Sequence, residues 1–501
     1  MRQVGPTSAP STASQAARGS PLAPGRRFAL ALLIVLAVVG LAPAAAHAAL
    51  PGEHLWADTV FTPGLSYHES AVALTTDAAG HAIVVGNAVT ARIDEPRDAY
   101  DIRYRSYDLD GILRWDAVGT TWDNPANPGA NDTAAGLVVD DARDCVYVAG
   151  TTQGAGSGND IVLLKVLNVD GTGSPSGTLL WSRTFNAGAN GDDEAEAVAL
   201  DKYGNVYVTG GSQRVDGTMD IITVKYRPDG TLAWARRHNN STTRFDRGFA
   251  IAVRGVAVYV SGVSNRLGHR DDVVLIRYSL AGERQWVRYY DDALNRHDLV
   301  EAIAPVAGGV YVCGSGKFTP TKPGDALLLK YGSDGARLWV RWVAGSGGDD
   351  DIWADVAADD LGRPHVTGRL DRSATGADIV TRMYTAGGTL LWQRGFSSAG
   401  ARYDAGTAVA VASGGRTYVC GFVTRASGWT DIVALKYSAL GATLWQTTYP
   451  DPVTYPSEAD VGDDVAFDVA VAPGRVYVAG FQTVDHAGLV DADFLTLAIQ
   501  R

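Results

Sequence analysis

Short segments in which apolar and polar residues alternate follow one another along almost the whole chain, and the stretch 193–239 shows them most clearly. It holds four segments with the period-two alternation and the β-branched and aromatic residues that are typical of strands. These segments are Ala195–Asp201, Asn205–Gly210, Asp220–Tyr226 and Thr231–His238. Turn residues, including the Pro-Asp-Gly of 228–230, separate them. The pattern predicts four consecutive antiparallel strands joined by short turns.

This four-strand unit recurs along the chain, which predicts a repeat architecture. The second strand carries a four-residue motif eight times, 52 to 64 residues apart, as YVxG in six units, IVVG in the first and HVTG in the sixth. Its glycine is Gly86, Gly150, Gly210, Gly262, Gly314, Gly368, Gly421 and Gly480. The third strand opens with an aspartate in all eight units: Asp101, Asp160, Asp220, Asp272, Asp325, Asp378, Asp431 and Asp493. The fourth strand carries a G-x-x-x-W motif in seven units, with its tryptophan at Trp115, Trp181, Trp234, Trp286, Trp339, Trp392 and Trp445.

The eighth G-x-x-x-W motif lies at the opposite end of the sequence, at Gly52–Trp56, and none follows the last third strand. A ring of sheets closes when the N-terminal strand completes the last sheet, and such radial closure protects sheet edges. An open solenoid would instead need capping repeats. We therefore predict an all-β fold, a β-propeller of eight four-stranded antiparallel blades in which 53–61 completes the blade begun by 464–500. Seven blades, with the first unit as an appendage, is the alternative.

Composition agrees with an all-β chain, because 58 glycines suit many turns and only 3 methionines are present. The three cysteines are Cys145, Cys313 and Cys420. Their odd number and wide spacing argue against a disulfide framework. Cys313 and Cys420 occupy the same place in two YVCG motifs, so we expect buried, apolar roles for them.

The N-terminus has the pattern of a secretory signal. Arg26 and Arg27 precede the apolar run 28–41, which is followed by an Ala-His-Ala cleavage site ending at Ala48. The run is shorter than the roughly 20 residues of a membrane-spanning helix. We expect residues 1–48 to be an N-terminal extension and signal peptide, and 49–501 to be a single propeller domain that is secreted or at the cell surface. Twin-arginine export and general secretion both remain open.

The net charge limits the possible partners. It is −12 for the whole chain, and the first 48 residues hold four arginines and no acid, so the remainder carries −16. Such a charge disfavours nucleic acid and anionic membranes. No later apolar run is long enough to span a membrane. We expect a monomer that binds no nucleic acid.

The combination of AVAxD, GNVYVTG, DxxxxKY and DGxxxW over residues 50–501 resembles the bacterial β-propeller repeat of secreted proteins, often called the SBBP repeat. The resemblance implies a propeller in a secreted or surface protein, although members of that family are generally thought of as seven-bladed. It brings no established catalytic residues. The DGxxxW element is also distantly similar to the repeat of quinoprotein dehydrogenases, but this chain lacks the adjacent cysteine pair that many of them use.

Seven units have an acid just before the first strand, and the first unit has Tyr67 at the corresponding count. These acids are Asp132, Asp193, Asp246, Asp298, Asp351, Asp404 and Asp464. Because the first strand of a propeller is innermost, they form a candidate acidic ring that would recruit a cation, with Ca²⁺ as the suitable metal. The alternative is a structural one, in which each aspartate accepts backbone N–H bonds at the start of its strand. We expect no required cofactor.

Two long insertions, 119–131 and 449–462, join a fourth strand to the next first strand and carry aromatic residues among proline and asparagine. Loops on a rigid scaffold are common binding sites. We therefore predict that Trp122, Tyr449 and Tyr455 contact a ligand. The leading hypothesis is a non-enzymatic scaffold that binds a protein or a glycan. The alternatives are an enzyme that uses the channel, either a quinoprotein-like oxidoreductase or a polysaccharide-degrading enzyme, and a surface protein stabilised by calcium.

Overall fold

The computed structural model describes residues 53–60, 69–89, 99–115, 121–168, 176–188, 190–240, 245–266, 270–291, 297–318, 324–400, 402–449, 462–485 and 490–501. They all belong to one unit of the chain, Ala49–Arg501. The predicted signal peptide, at residues 1–48, lies outside the described residues.

The described residues form 32 β-strands and one short 3-10 turn, Asp141–Arg143. Strand β1 is His54–Val60. Blades 1 and 2 contain β2 (Ser70–Thr76), β3 (Ala82–Val89), β4 (Tyr100–Tyr107), β5 (Thr121–Trp122), β6 (Asp132–Asp140), β7 (Cys145–Gln153), β8 (Asn159–Leu167) and β9 (Leu179–Phe185). Blades 3 and 4 contain β10 (Asp193–Leu200), β11 (Val206–Gln213), β12 (Met219–Tyr226), β13 (Leu232–His238), β14 (Asp246–Arg254), β15 (Ala257–Asn265), β16 (Asp271–Ser279) and β17 (Arg284–Tyr290).

The second half of the chain continues the same series. Blades 5 and 6 contain β18 (His297–Val306), β19 (Gly309–Phe318), β20 (Asp325–Gly332), β21 (Arg337–Val343), β22 (Ile352–Ala358), β23 (Pro364–Arg372), β24 (Gly376–Tyr384) and β25 (Leu390–Phe396). Blades 7 and 8 contain β26 (Ala405–Ala412), β27 (Arg416–Thr424), β28 (Thr430–Tyr437), β29 (Thr443–Tyr449), β30 (Val465–Ala472), β31 (Arg475–Asp485) and β32 (Val490–Gln500).

The sheets form an eight-bladed propeller, as the repeats predicted. Each of the eight sheets has four antiparallel strands, and the first strand of every blade lies beside the first strands of both neighbouring blades, so these strands form the inner ring. Strand β1 pairs with β32 along its length and supplies the missing fourth strand of blade 8. The first unit is a complete blade, β2 to β5, so the seven-bladed alternative is wrong.

A β-bulge in the first strand explains the glycine of every YVxG motif. In blade 3 the register shifts between Ala195 and Ala197, and an equivalent shift occurs in the other seven blades. The bulge presses the carbonyl of Glu194 against the α-carbon of Gly210, and a β-carbon there would overlap that oxygen. Side chains are therefore excluded at this position, because a bulge brings the two backbones unusually close.

The motif tryptophans pack between blades. The indole of Trp234 lies on Gly282 in the turn of the next blade and donates its N–H to the carbonyl of Leu280 at 3.1 Å. Within its own blade, it packs against Tyr207 of the second-strand motif, with ring centroids 5.8 Å apart. Trp56 makes the same kinds of contact, with Leu109 of the next blade and Tyr477 of its own blade. Strand β1 therefore supplies blade 8 with both its fourth strand and its inter-blade tryptophan.

The three cysteines are buried and free, as expected for apolar core residues. Membrane-spanning helices do not occur in the described part of the chain: no helix there is both apolar and long enough.

Candidate functional site

The candidate acidic ring lies at the end of the blades where the first strands begin. Six of its aspartates open or immediately precede a first strand, and Asp298 is the second residue of β18. All seven are buried, with exposed fractions of 0 to 4%. The structure adds an eighth acid, because the bulge in blade 1 places Glu69, and not Tyr67, at the equivalent position. Glu69 is 3% exposed and pairs with Arg103 at 3.0 Å. Tyr67 lies outside the described residues.

These carboxylates hold the loop that arrives from the preceding blade. Four of them accept the backbone N–H of the residue six positions earlier, at 2.5 to 3.1 Å: Asp193 from Ala187, Asp246 from Asn240, Asp351 from Gly345 and Asp404 from Ser398. Asp132 accepts from Asn124 at 2.7 Å. Such bonds fix the start of the strand, because buried backbone donors need acceptors.

The second carboxylate oxygen reaches the second strand of the same blade. Asp404 accepts the N–H of Thr424 at 2.7 Å, and Asp464 accepts that of Thr483 at 2.8 Å. Asp404 therefore ties a loop, a first strand and a second strand together within one blade junction, and Asp351 does the same through Gly345 and Asp371. The seven predicted residues are distributed over separate buried junctions and do not line one open space, which favours the structural alternative. A ligand or metal role for them stays a prediction.

The third-strand aspartate of the preceding blade approaches the same junction. Burial raises the pKa of Asp246, and the nearby carboxylate of Asp220 adds to the rise. Burial also raises the pKa of Asp220, and Arg237 opposes this by pairing with it at 3.1 Å. Arg372 pairs with Asp378 in the same way, at 3.2 Å. A cation beside the carboxylates offsets the repulsion between two buried like charges.

Three carboxylates meet at two of the junctions. One group is Asp101, Asp123 and Asp132, and the other is Asp272, Asp291 and Asp298; in each, the ligand atoms lie within 4.8 Å of one another. The second group already contains a cation, because Arg266 contacts Asp272 at 2.5 Å and Asp291 at 3.7 Å. Carboxylate oxygens suit Ca²⁺. Asp132 and Asp298 are the members of the predicted acidic ring in these groups, and a metal role for the ring stays a prediction.

The predicted ligand contacts do not lie where we expected them. Trp122 and Tyr449 are the last residues of fourth strands, not loop residues, and they are 5% and 3% exposed. Trp122 pairs with Ile102 and Tyr449 with Ile432, so they occupy the same slot in blades 1 and 7. Their rings belong to the core and are not available to a ligand in this conformation. Tyr455 lies outside the described residues.

Two acidic residues of the inner ring were missed. Asp355 and Asp468 follow the bulge, at a position where the other six blades have alanine or glycine. Asp468 accepts the N–H of Leu74 in the next blade at 2.8 Å and that of Val469 at 2.8 Å, and Asp355 accepts from Val409 and Val356. Burial raises the pKa of Asp355 to about 6 and of Asp468 to about 7. The sequence did contain a signal for them, because an aspartate replaces the alanine or glycine that the other blades have at this position.

Exposed aromatic residues at the loop end of blade 7 were also missed. Tyr403 lies in the loop that precedes β26 and is 46% exposed, and Trp429 lies in the loop between β27 and β28 and is 43% exposed. Tyr403 stacks on Phe422, with ring centroids 5.9 Å apart, and the guanidinium of Arg369 lies 5.2 Å from its ring. Both loops lie at the end of the blades that carries the buried acids.

Comparison with known proteins leaves the family open. No protein-family model matches the chain, and no curated protein matches it. The resemblance to the secreted bacterial propeller repeat therefore rests on the motifs alone.

Solved structures do resemble this chain. The WD40 domain of SCAP from fission yeast is 8% identical, with 89% of this chain and 98% of that chain covered and a TM-score of 0.42. Catalytically inactive virginiamycin B lyase from Staphylococcus aureus, with quinupristin, is 8% identical over 89% and 99% of the two chains, with a TM-score of 0.39. A eukaryotic initiation factor is 10% identical over 75% and 77%, with a TM-score of 0.38. At these values the matches say nothing about function.

Proposed function

We propose that this chain is an exported, non-enzymatic scaffold that binds a protein or a glycan through the loops at the end of the blades where the first strands begin. A closed propeller suits binding in general, because loops on a rigid support present side chains in fixed positions. The exposed aromatic residues Tyr403 and Trp429, on two neighbouring loops, carry the proposal.

The two loops that hold these aromatics are fastened to each other. Arg402 donates to the carbonyl of Arg425, and the Thr424 hydroxyl donates to the carbonyl of Tyr403. Asp404, one of the buried acids, holds the first loop through Ser398 and the second strand through Thr424. Immobile aromatic side chains lose little entropy on binding, which is why tyrosine and tryptophan dominate many binding surfaces.

The hydrogen bonds of Asp355 and Asp468, the two aspartates that follow the bulge, support a scaffold more than an enzyme. Both oxygens of Asp468 and both oxygens of Asp355 already accept backbone N–H groups. A general acid or a nucleophile needs an oxygen directed at the substrate. These carboxyls, which have the raised pKa that catalysis often uses, are therefore committed to structure.

The binding test compares a double variant with a matched control. Tyr403→Ala/Trp429→Ala removes the aromatic pair, and Val256→Ala/Leu440→Ala removes two exposed apolar side chains from turns at the other end of the blades. We expect binding on a glycan array, or crosslinking to a protein through a photoreactive group placed at the exposed loop position 426 in both variants, to fall at least tenfold in the first variant only. Equal binding by both variants, or no ligand in either assay, would reject the proposal.

Export is tested separately. We expect the protein recovered from the culture fluid to begin at Ala49, and a variant with Arg26→Lys and Arg27→Lys to show whether the twin-arginine route is used. Recovery of the uncleaved chain from the cytoplasm alone would contradict export while leaving the binding test unaffected.

A further inference from the structure

A cavity of about 510 Å³ lies at the opposite end of the blades from the paired aromatics, between blades 5 and 6. One wall is the end of β18 with the turn that follows it, 305–308, and the other is the end of β22 with its turn, 358–362. The side chains of Tyr311 and Lys330 form its inner part, and Arg254 of blade 4 reaches its rim.

Lys330 is a largely buried side chain that makes no hydrogen bond or ion pair with the described residues. It is 5% exposed, and its one contact among the described residues is with the ring of Tyr311, 3.7 Å from the ammonium nitrogen to the centroid. Lys436, at the same position in blade 7, is also buried and also contacts rings, those of Tyr418 and Trp445. The lysines of blades 2 and 3 behave differently. Lys165 donates to the carbonyl of Pro228 at 3.0 Å, and Lys225 donates to that of Leu280 at 2.8 Å.

The turn between the first two strands explains why blade 5 differs from blade 3. In blade 3 the turn between the first two strands begins with Asp201, whose carboxylate lies 3.9 Å from Lys225. In blade 5 the corresponding turn, 306–309, is Val-Ala-Gly-Gly and contains no acid. Lys330 therefore lacks the counter-charge that its counterpart has, and burial lowers its pKa to about 8. At neutral pH it still carries its proton for most of the time.

The other charges around the cavity leave a positive excess. Asp359 pairs with Arg363 at 2.6 Å and also accepts two backbone N–H groups of its turn. Arg254 is exposed and makes no ion pair within the described part of the chain. Asp360 is the remaining acid of the wall and is exposed. Apart from Asp359, which Arg363 neutralises, two cations thus face the cavity against one solvated carboxylate.

We propose that this cavity is a binding site for a small organic carboxylate, whose oxygens accept hydrogen bonds from the Lys330 ammonium while Arg254 holds the charge at the rim. The apolar side chains of Leu338 and Leu361 and the ring of Tyr311 contact the rest of the ligand. The site lies at the other end of the blades from Tyr403 and Trp429, so it does not depend on the function proposed above. A sugar acid and a small keto acid share this chemistry.

The test measures the reactivity of Lys330 in the intact protein by trace labelling with acetic anhydride and mass spectrometry of the peptides. We expect glucuronate or pyruvate to slow the labelling of Lys330 at least fivefold, because a bound carboxylate both covers the amine and stabilises its charged form. Lys225, which has its own acceptors, is the internal control and keeps its rate. Protection by glucuronate alone identifies a sugar acid, and protection by pyruvate alone identifies a keto acid.

Two further arms make the test decisive. Glucose has the shape of glucuronate without the carboxylate, so protection by glucose equal to that by glucuronate would overturn the proposal. Failure of both acids to protect Lys330 would overturn it as well. In calorimetric titration with the protecting acid, Lys330→Met is expected to lose the binding heat and Lys225→Met to retain it. Lys330→Met removes an unpaired buried charge, so its melting temperature should not fall.

Discussion

At the scale of single residues, the glycine in the turn before the fourth strand of blade 4 is fixed by the tryptophan of the neighbouring blade. Gly282 has φ of +82°, and a β-carbon there would lie 2.8 Å from the indole of Trp234. We expect Gly282→Ala to lower the free energy of unfolding by about 2 to 4 kcal/mol, from backbone strain and overpacking together. Urea unfolding followed by circular dichroism measures the loss.

Gly217 separates the two causes. Its φ is +81°, almost the same, but nothing lies within 4 Å of the position of a β-carbon. Gly217→Ala should therefore cost about 1 kcal/mol, from the backbone alone. Equal losses in the two variants would show that the contact with Trp234 contributes nothing.

Asp468 gives a pH dependence with a definite sign. Burial raises its pKa from 3.8 to about 7, so between these values the folded protein holds a proton that the unfolded chain has released. Its contribution to stability is therefore largest at low pH and falls as the pH rises towards 7. Between pH 4.5 and 7.5 we expect the free energy of unfolding of the wild type to fall, relative to Asp468→Asn, by on the order of 2 kcal/mol.

Parallel pH curves for the wild type and Asp468→Asn would contradict this account. Asp468→Ala supplies a second comparison, since alanine is the residue found at this position in blade 7, at Ala408. That variant also loses the bonds to Leu74 and Val469. It should be less stable than the wild type at low pH, where the charge is absent.

At the scale of elements, β1 closes the ring and should behave as a detachable strand. It pairs with β32 from His54 to Val60, and Trp56 packs against Tyr107 and Tyr477 with centroids 5.3 and 5.9 Å apart. Deleting residues 49–60 should lower the melting temperature by roughly 10 °C, because a full strand and the tryptophan that packs between blades 8 and 1 are lost. Differential scanning calorimetry measures the change.

Adding the missing strand as a peptide tests whether the loss is specific. A peptide of residues 53–60 should raise the melting temperature of the truncated protein in a concentration-dependent way, because it binds only the folded state. The same peptide with Trp56 replaced by alanine is the control and should restore less. No recovery with either peptide would argue against closure by β1 as the source of the stability.

The elements also show how far the sequence could predict the structure. The repeats predicted the strands, the blade number and the closure by β1, because each motif reports a contact that every blade must make. The equivalent of the buried acids in blade 1 was misplaced at Tyr67, although it is Glu69. A strand repeats its inside and outside faces every two residues, so a slide of two leaves the hydrophobic pattern unchanged.

The candidate sites were harder to predict because they depend on distances. The last residue of a fourth strand normally follows the motif tryptophan by four positions, as Tyr449 follows Trp445. In blade 1 three extra residues separate Trp115 from Trp122, so this strand end looked like part of a loop. Whether Lys330 has an acceptor depends on the position of a neighbouring carbonyl, which a single sequence does not give.

At the scale of the whole molecule, many basic side chains serve the contacts between blades. Arg183, Arg236 and Arg288 each donate to the carbonyl of a turn glycine in the next blade, at 2.7 to 2.9 Å. These arginines are engaged in contacts between blades, and the net charge of the whole chain is −12. The expectation that the protein binds no nucleic acid follows from this excess of negative charge.

Ring closure should also make the eight blades unfold together. Each blade packs against two neighbours, so loss of any blade in the closed ring breaks two junctions, whereas loss of a terminal blade in an open array breaks one. Open repeat arrays accordingly lose cooperativity, with stability close to a sum over units.

We expect tryptophan fluorescence and far-UV circular dichroism to give coincident urea transitions for the wild type. After deletion of residues 49–60 the transitions should separate, and the slope of the free energy with urea should fall. Two transitions in the wild type, or coincident transitions in the truncated protein, would show that closure does not couple the blades.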